Sequence, residues 1–176
     1  MIPEDRFPVR PPQGKRITVV PFSDTHQSGV VDVILPIQQA EFGIPITLAQ
    51  QPDLSDIPGF YQQKTGNFWV ALDKADVIGT IALVDIGNGQ GALRKMFVKP
   101  PYRGRESGVA QALLRALMDW CRAHRLTVLY LGTTDKFKAA HRFYEKNGFT
   151  EISRENLPGS FPVMAVDTKF YTCSLT

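Results

Sequence analysis

The segment from Pro101 to Ala110, PYRGRESGVA, places glycines and basic residues where a strand-like pattern gives way to a helical one. The first N–H groups of a helix lack intrahelical partners and favour an anion such as a phosphate. Gly104 and Gly108 permit tight turning and close approach, while Arg103 and Arg105 add positive charge. The segment is a candidate phosphate-binding loop, with a plain strand-to-helix loop carrying surface arginines as the alternative.

A second segment, residues 139–149 with the sequence AAHRFYEKNGF, predicts an amphipathic helix. Ala140 and Phe143 would face the core, and His141 with its charged neighbours would face solvent. Tyr144 has two interpretations. It packs with its hydroxyl satisfied, or it is the acid that protonates a leaving thiolate, since a phenol at its reference pKa still carries its proton at neutral pH.

These segments require a framework of strands and helices, which the apolar pattern supplies. Residues 67–72, 77–86 and 92–98 predict an antiparallel meander. The helix beginning near Val109, followed by a strand at 127–131, forms a β-α-β unit that requires parallel pairing. The remaining predictions are strands at 17–21, 149–152 and 163–175, a helix at 30–42, one short helix within 43–66, and a helix capped by Asp135 and ended by Gly148.

Composition and charge limit the classes of protein to which the chain can belong. The 176 residues are 43% apolar and 21% charged, which suits one soluble domain, here residues 16–176 behind an extended, proline-rich arm at 1–15. The net charge of +3 is too small to argue for nucleic acid. The chain has no signal-peptide pattern and no apolar run of spanning length, so we expect a cytoplasmic enzyme without a membrane partner.

Cysteines and histidines give no sign of a metal or a nucleophile. Cys121 and Cys173 lie in no motif and are expected to be reduced thiols. His26, His124 and His141 are scattered without ligand spacing, so we expect no metal.

Three pieces of sequence, LRKMFV, YRGRESG and AAHRFYEKNGF, together resemble the GNAT N-acetyltransferase superfamily, over residues 65–152. The resemblance implies a mixed α/β, GNAT-like acyl-CoA N-acyltransferase fold with a central mixed sheet flanked by helices. It implies that strand Leu93–Val98 separates from Thr127–Leu131, that acetyl-CoA lies in the gap, and that Tyr144 is the general acid. The implied cofactor-binding residues are Met96, Phe97, Val98, Arg103, Gly104, Arg105, Glu106, Ser107, Gly108 and Val109.

The sequence departs from the family pattern at two positions. Glu106 stands where a glycine is usual, and its carboxylate would be unfavourable beside a pyrophosphate unless it points to solvent. Phe137 stands where the family often has Asn. Both departures bear on how tightly the cofactor binds.

The resemblance further implies direct attack by a primary amine on the thioester in a ternary complex. Main-chain N–H groups near Met96 or Phe97 are candidates to stabilise the oxyanion, and Glu41, Asp85 or a water relay is the candidate base. The predicted acceptor is a small-molecule or peptide amine. The acceptor site would be lined by aromatic residues among Phe42, Phe60, Tyr61, Trp69 and Phe161. The sequence leaves open whether the chain forms a homodimer. The alternative is a non-catalytic acyl-CoA-binding sensor or scaffold, and a nucleic-acid binder is a distant third.

Overall fold

A computed structural model describes residues 17–176, so the arm predicted at residues 1–15 lies outside the described residues. Within this range no helix has both the length and the apolar character needed to cross a bilayer. The strands are β1 Ile17–Pro21, β2 Asn67–Asp73, β3 Asp76–Gly87, β4 Gln90–Val98, β5 Val128–Thr133, β6 Thr150–Ile152 and β7 Lys169–Ser174. The helices are α1 Gln27–Pro36, α2 Pro52–Ser55, α3 Ile57–Phe60, α4 Val109–Ala123 and α5 Lys138–Lys146.

The strands form one seven-stranded sheet in the order β1-β2-β3-β4-β5-β7-β6. The β4–β5 pair is parallel, and the other strand pairs of the described chain are antiparallel. The crossover from β4 to β5 passes through α4, as a parallel connection requires. The sequence prediction of a sheet that is antiparallel early and parallel in the middle is therefore confirmed.

Two apolar clusters cover the two faces of this sheet. On one face α4 buries Val109, Leu113 and Leu117 against β1 to β5, as the helical spacing predicted. On the other face α1 buries Val30 and Ile34 against β2 and β3. Helix α5 joins the α4 cluster, so the two faces of the sheet carry different helices.

Strands β4 and β5 separate along their length. Residues Gln90–Ala92 of β4 pair with Val128–Tyr130 of β5 in parallel. The pairing ends there, although both strands continue. The gap expected between Leu93–Val98 and the neighbouring strand is therefore present.

A bulge in β4 adjoins this gap. Opposite Thr80 to Ala82 of β3, strand β4 runs from Phe97 to Arg94 and thus inserts one extra residue. Lys95 takes a positive φ of 53°, and the Thr80 hydroxyl donates to its carbonyl oxygen at 2.6 Å. The bulge changes the direction in which the neighbouring side chains point.

Helix α5 ends as predicted and begins later than predicted. Gly148 adopts a φ of 89°, and the N–H groups of Gly148 and Phe149 donate back to Glu145 and Tyr144, which is a Schellman motif. The cap predicted at Asp135 is wrong. A turn in which Phe137 N–H donates to the Thr134 carbonyl intervenes, so Phe137 occupies the N-cap.

Other boundaries also differ from the prediction. The helix predicted at 30–42 begins at Gln27 and widens after Pro36 into a π-helical turn, Ile37–Glu41. Two short helices, α2 and α3, replace the one predicted within 43–66. Strand β7 is shorter than the predicted 163–175, because Met164 and Asp167 close a turn before it.

Candidate active site

A continuous cleft of about 1390 Å³ follows the gap between β4 and β5 and extends across both faces of the sheet. Its walls come from the end of α1 with its π-helical turn, the second half of β4, the loop before α4, helix α5 and the segment before β7. They include residues 37–42, 50–53, 93–98, 103–105, 131–134, 136–140 and 161–167 in large part.

The loop before α4 keeps the geometry of an anion cradle. Gly104 and Gly108 have φ values of 99° and 68°, a region that glycine occupies without steric cost, and Gly108 is the N-cap of α4. Helix α4 therefore presents its first N–H groups without intrahelical partners. Of the predicted cofactor residues in this loop, Arg103, Gly104, Arg105 and Gly108 line the cleft.

Three predicted cofactor residues do not line the cleft. Glu106 is exposed and lies outside the cleft walls. Ser107 directs its hydroxyl to the Arg103 carbonyl at 3.3 Å, and Val109 is fully buried in the core. The side chains of these three residues therefore do not form the cleft walls.

Arg103 is held by two neighbours. Its Nε donates to the Val98 carbonyl at 2.8 Å, and its two terminal nitrogens donate to the two carboxylate oxygens of Glu41 at 2.5 and 2.8 Å. The hydrogen bond from Arg103 lowers the pKa of Glu41. An ionised, doubly bonded carboxylate is a poor proton acceptor, so the geometry does not favour Glu41 as the base.

Met96, Phe97 and Val98 all line the cleft. Beyond Ala92 the β5 side of β4 has no strand partner, so main-chain groups on that side are open to the cleft. The Val98 carbonyl is already occupied by Arg103. The arrangement offers the extended backbone edge that an amide-containing arm can pair with.

Tyr144 lies beneath the cleft with only 5% of its surface exposed, and its ring packs against Phe143, Phe149 and Tyr171. Its hydroxyl has no hydrogen-bond partner among residues 17–176, whereas the Tyr171 hydroxyl donates to Glu145. Every fully buried side-chain N or O atom in this range has a partner, so the Tyr144 oxygen reaches the cleft surface.

Burial raises the pKa of the Tyr144 phenol, so it stays protonated through neutral pH. A protonated phenol whose O–H opens to the cleft is available to donate a hydrogen bond or a proton there. The role of Tyr144 as the acid stays a prediction.

A charged cluster lies in the cleft on the α1 face of the sheet. Lys95 Nζ lies 3.5 Å from Asp53 Oδ2 and donates to Gln51 Oε1 at 2.7 Å. The Tyr61 hydroxyl donates to the same Asp53 oxygen at 2.5 Å, and Arg94 lies 4.0 Å from it. Successive residues of a regular strand face opposite sides, so the bulge is what brings both Arg94 and Lys95 to Asp53.

Asp167 is a cleft residue that the sequence reasoning missed. Its carboxylate lies against Gly132 of β5 and accepts the Met164 N–H at 2.9 Å. Burial raises the pKa of Asp167, and the Met164 N–H with the charges of Arg94 and Arg154 opposes that rise. No local pattern marks this residue, because its position depends on a turn that the sequence suggested was strand.

The remaining candidates divide between cleft and core. Phe42, Phe60 and Phe161 line the cleft, whereas Tyr61 is buried behind it and Trp69 packs on the α4 face against Trp120. Asp85 lies outside the cleft walls. Burial alone would raise the pKa of Asp85, but hydrogen bonds from Thr65 and Gly87 outweigh burial and lower it.

The cysteines and acidic residues show no second chemistry. Cys121 and Cys173 are buried free thiols, and burial raises the pKa of Cys121 to about 12, so neither is poised as a thiolate. Within residues 17–176 no set of three or more His, Cys, Asp or Glu side chains is arranged to hold a metal ion.

Comparison with known proteins identifies relatives of this chain. The profile of the Acetyltransferase (GNAT) family matches residues 32–149. N-acetylaspartate synthetase from Danio rerio is 34% identical over 116 residues, which span 63% of this chain and 40% of that protein. The chain thus spans less than half the length of this relative.

Solved structures show the same architecture. An acetyltransferase of the GNAT family from Staphylococcus aureus Mu50 is 38% identical and superposes with a TM-score of 0.87, covering 91% of this chain and 99% of that one. The PaiA N-acetyltransferase from Thermoplasma acidophilum, in complex with coenzyme A, shares the fold at 15% identity with a TM-score of 0.68. That alignment covers 90% of this chain and 98% of that one.

Proposed function

Because the chain belongs to the GNAT acetyltransferase family, we propose that it transfers an acetyl group from acetyl-CoA to a primary amine in a ternary complex. The observation that carries the proposal is the unpartnered, protonated Tyr144 hydroxyl, which opens into the cleft between β4 and β5. A chain that only stored acyl-CoA would have no need for a buried acid at that position.

The residues of the cleft fit the donor. The helix N-terminus at Gly108 and the loop at Arg103–Arg105 would hold the pyrophosphate, since both present donors or positive charge. The open backbone edge at Met96 and Phe97 would pair with the pantetheine amides. A main-chain N–H on this edge would also stabilise the thioester oxygen as charge develops on it.

Acetyl-CoA supplies an acyl group on a thioester, and attack by the neutral amine forms the C–N bond as the C–S bond breaks. Tyr144 donates its proton to the departing sulfur and is restored by a proton that the nitrogen loses. Neither cysteine takes part, because transfer is direct and both thiols are buried and protonated. One proton thus leaves the nitrogen and one arrives at sulfur, so the products are an amide and a thiol.

A binding experiment and a turnover experiment test the proposal together. Calorimetry with acetyl-CoA measures binding, and a thiol-release assay over amino acids, peptides, polyamines and amino sugars measures transfer. We expect both binding and acceptor-dependent release, with the acetylated amine identified by mass spectrometry. Binding without release by any amine would favour the non-catalytic acyl-CoA module instead.

The cytoplasmic location and the homodimer stay predictions from the sequence. Glu106, the departure from the family pattern within the cradle, is exposed and lies outside the cleft walls. That exposure supports binding of an anionic donor, because the carboxylate is free to point into solvent.

A further inference from the structure

Arg94 is a nearly buried cation with unmet hydrogen-bonding capacity. Its side chain is 11% exposed and lines the cleft. The guanidinium carbon lies 5.7 Å from the ring centre of Phe60 and 5.8 Å from that of Tyr61. Its one hydrogen bond within residues 17–176 goes to the Met164 sulfur at 3.5 Å, a weak acceptor for a group with five N–H donors.

The neighbouring carboxylate does not neutralise Arg94. Asp53 accepts a hydrogen bond from Tyr61 and pairs with Lys95 at 3.5 Å, whereas its closest approach to Arg94 is 4.0 Å. Two cations therefore share one carboxylate, and the cluster carries one excess positive charge. A half-satisfied cation in a cleft walled by aromatic rings is costly unless an anion completes it.

That anion is not the donor's pyrophosphate. The cradle begins beyond the end of β4, and Arg94 precedes Val98 by four residues, which is at most roughly 13 Å of strand. The intervening stretch is the edge that would hold the pantetheine arm. With acetyl-CoA bound as proposed, Arg94 would lie beyond the thioester, on the acceptor's side.

An opposite charge lies close to Arg94 in the same cleft. Met164 contacts both groups, since its sulfur meets Arg94 and its main-chain N–H donates to Asp167 at 2.9 Å. Oxygen Oδ1 of Asp167 has no hydrogen-bond partner among the described residues, and the carboxylate lies against Gly132 of β5. Arg94 and Asp167 thus place a cation and a carboxylate near Met164 in the same cleft.

We propose that the acceptor is an amine that carries a carboxylate, as a free amino acid does, with Arg94 binding the carboxylate and Asp167 receiving the ammonium group. The inference rests on the proposed acetyl transfer. Arg94 would form the bidentate pair that a guanidinium makes with a carboxylate. Asp167 would take one proton from the ammonium group, which leaves the neutral amine that attacks the thioester.

Substrate pairs test the carboxylate without altering the protein. The twenty common L-amino acids are assayed for thiol release, and each reactive one is compared with its α-carboxamide. We expect kcat/KM to fall about 100-fold when the carboxylate that Arg94 binds becomes an amide. For a dicarboxylic acceptor, L-aspartate, its α-amide and L-asparagine show whether the α- or the side-chain carboxylate is bound.

Variants of Arg94 test the partner. Arg94→Gln should raise KM for the amino acid by about 100-fold and leave KM for the matching carboxamide nearly unchanged. The KM of Arg94→Lys for the amino acid should lie between those of the wild type and Arg94→Gln, because lysine keeps the charge but lacks the planar guanidinium. Arg122→Gln, an exposed arginine on α4 outside the cleft walls, serves as the matched control.

The outcomes separate this inference from the proposed function. Thiol release with amines that lack a carboxylate, but with no carboxylate-bearing amine, would overturn the inference and leave acetyl transfer standing. Equal kcat/KM for amino acids and their carboxamides would also overturn it. Binding of acetyl-CoA with no release by any acceptor would instead contradict the proposed function. If Arg94→Gln fails to fold, the substrate pairs still decide.

Discussion

The Glu41 carboxylate binds the Arg103 guanidinium through both of its oxygens, which ties the turn after α1 to the loop before α4. The next residue, Phe42, meets the ring of Phe137 edge-on with 4.3 Å between ring centres. Lys136 Nζ also lies 3.4 Å from the Phe42 carbonyl. The turn therefore spans the cleft from the cradle to the N-terminus of α5.

Glu41→Gln should tighten CoA binding. The substitution removes a negative charge beside the loop proposed to hold the pyrophosphate and frees Arg103 from an ion pair. Because the pair is partly exposed, we expect the Kd for CoA to fall by only about threefold, and less at high salt. Calorimetry at two salt concentrations measures this, with Asp32→Asn, exposed on α1, as the control. Weaker binding in Glu41→Gln would show that the ion pair organises the cradle instead.

Tyr144→Phe should abolish most turnover without weakening the fold. The hydroxyl has no partner within residues 17–176, so its removal leaves no buried group unsatisfied. We expect kcat to fall about 100- to 1000-fold, with the Kd for acetyl-CoA and the Tm nearly unchanged. Tyr171→Phe is a matched control, since Tyr171 packs against Tyr144 but lies outside the cleft walls. Full activity in Tyr144→Phe would exclude the acid role.

Tyr61→Phe should destabilise the protein. The Tyr61 hydroxyl donates to Asp53 in a buried cluster, so its loss leaves a carboxylate short of a donor. We expect the free energy of unfolding to fall by about 1–3 kcal/mol, measured by urea titration. Tyr130→Phe removes a partly exposed hydroxyl that bonds to no described residue and should change stability by less than about 0.5 kcal/mol. Equal losses in the two variants would show that the Asp53 contact contributes nothing.

The sequence predicted best where one local pattern decides the structure. Strand β1 was expected at 17–21 and lies there, because a short apolar run bounded by proline leaves few alternatives. The glycine that ends α5 was likewise identified, since few residues other than Gly148 accept a φ of 89° easily. The loop segment YRGRESG and the helix segment AAHRFYEKNGF likewise lie at the cleft, as each carries its own glycine turn or cap signal.

What the sequence did not predict depends on contacts between distant segments. Lys95 adopts a left-handed backbone that a lysine disfavours by itself, and the resulting bulge brings Arg94 to Asp53 across about 40 residues of chain. Asp167 becomes a cleft residue because a turn places it against Gly132. The proposed acceptor site was therefore less predictable than the proposed donor site.

The pH dependence of turnover should report Asp167. Burial raises the pKa of this carboxyl, and a base works only when ionised, so kcat/KM should fall with decreasing pH at a higher pH than an ordinary aspartate would give. Asp167→Asn should lower kcat/KM about 100-fold and remove this limb, leaving the alkaline limb of the amine itself. Asp167→Glu should retain the limb. An unchanged acid limb in Asp167→Asn would assign it to another group.

Gly132→Ala should act on the acceptor site through Asp167. A methyl group at Gly132 would lie 2.5 Å from Asp167 Oδ2, so the carboxylate must move, and a side chain on a turn can do so without unfolding the sheet. We expect kcat/KM to fall about tenfold, with the Tm and the Kd for CoA unchanged. Gly159→Ala, where an added methyl meets nothing within 4 Å, is the matched control. In an Asp167→Asn background the effect of Gly132→Ala should vanish, because the group it displaces no longer acts. A full tenfold loss in that background would mean that the methyl obstructs the cleft itself.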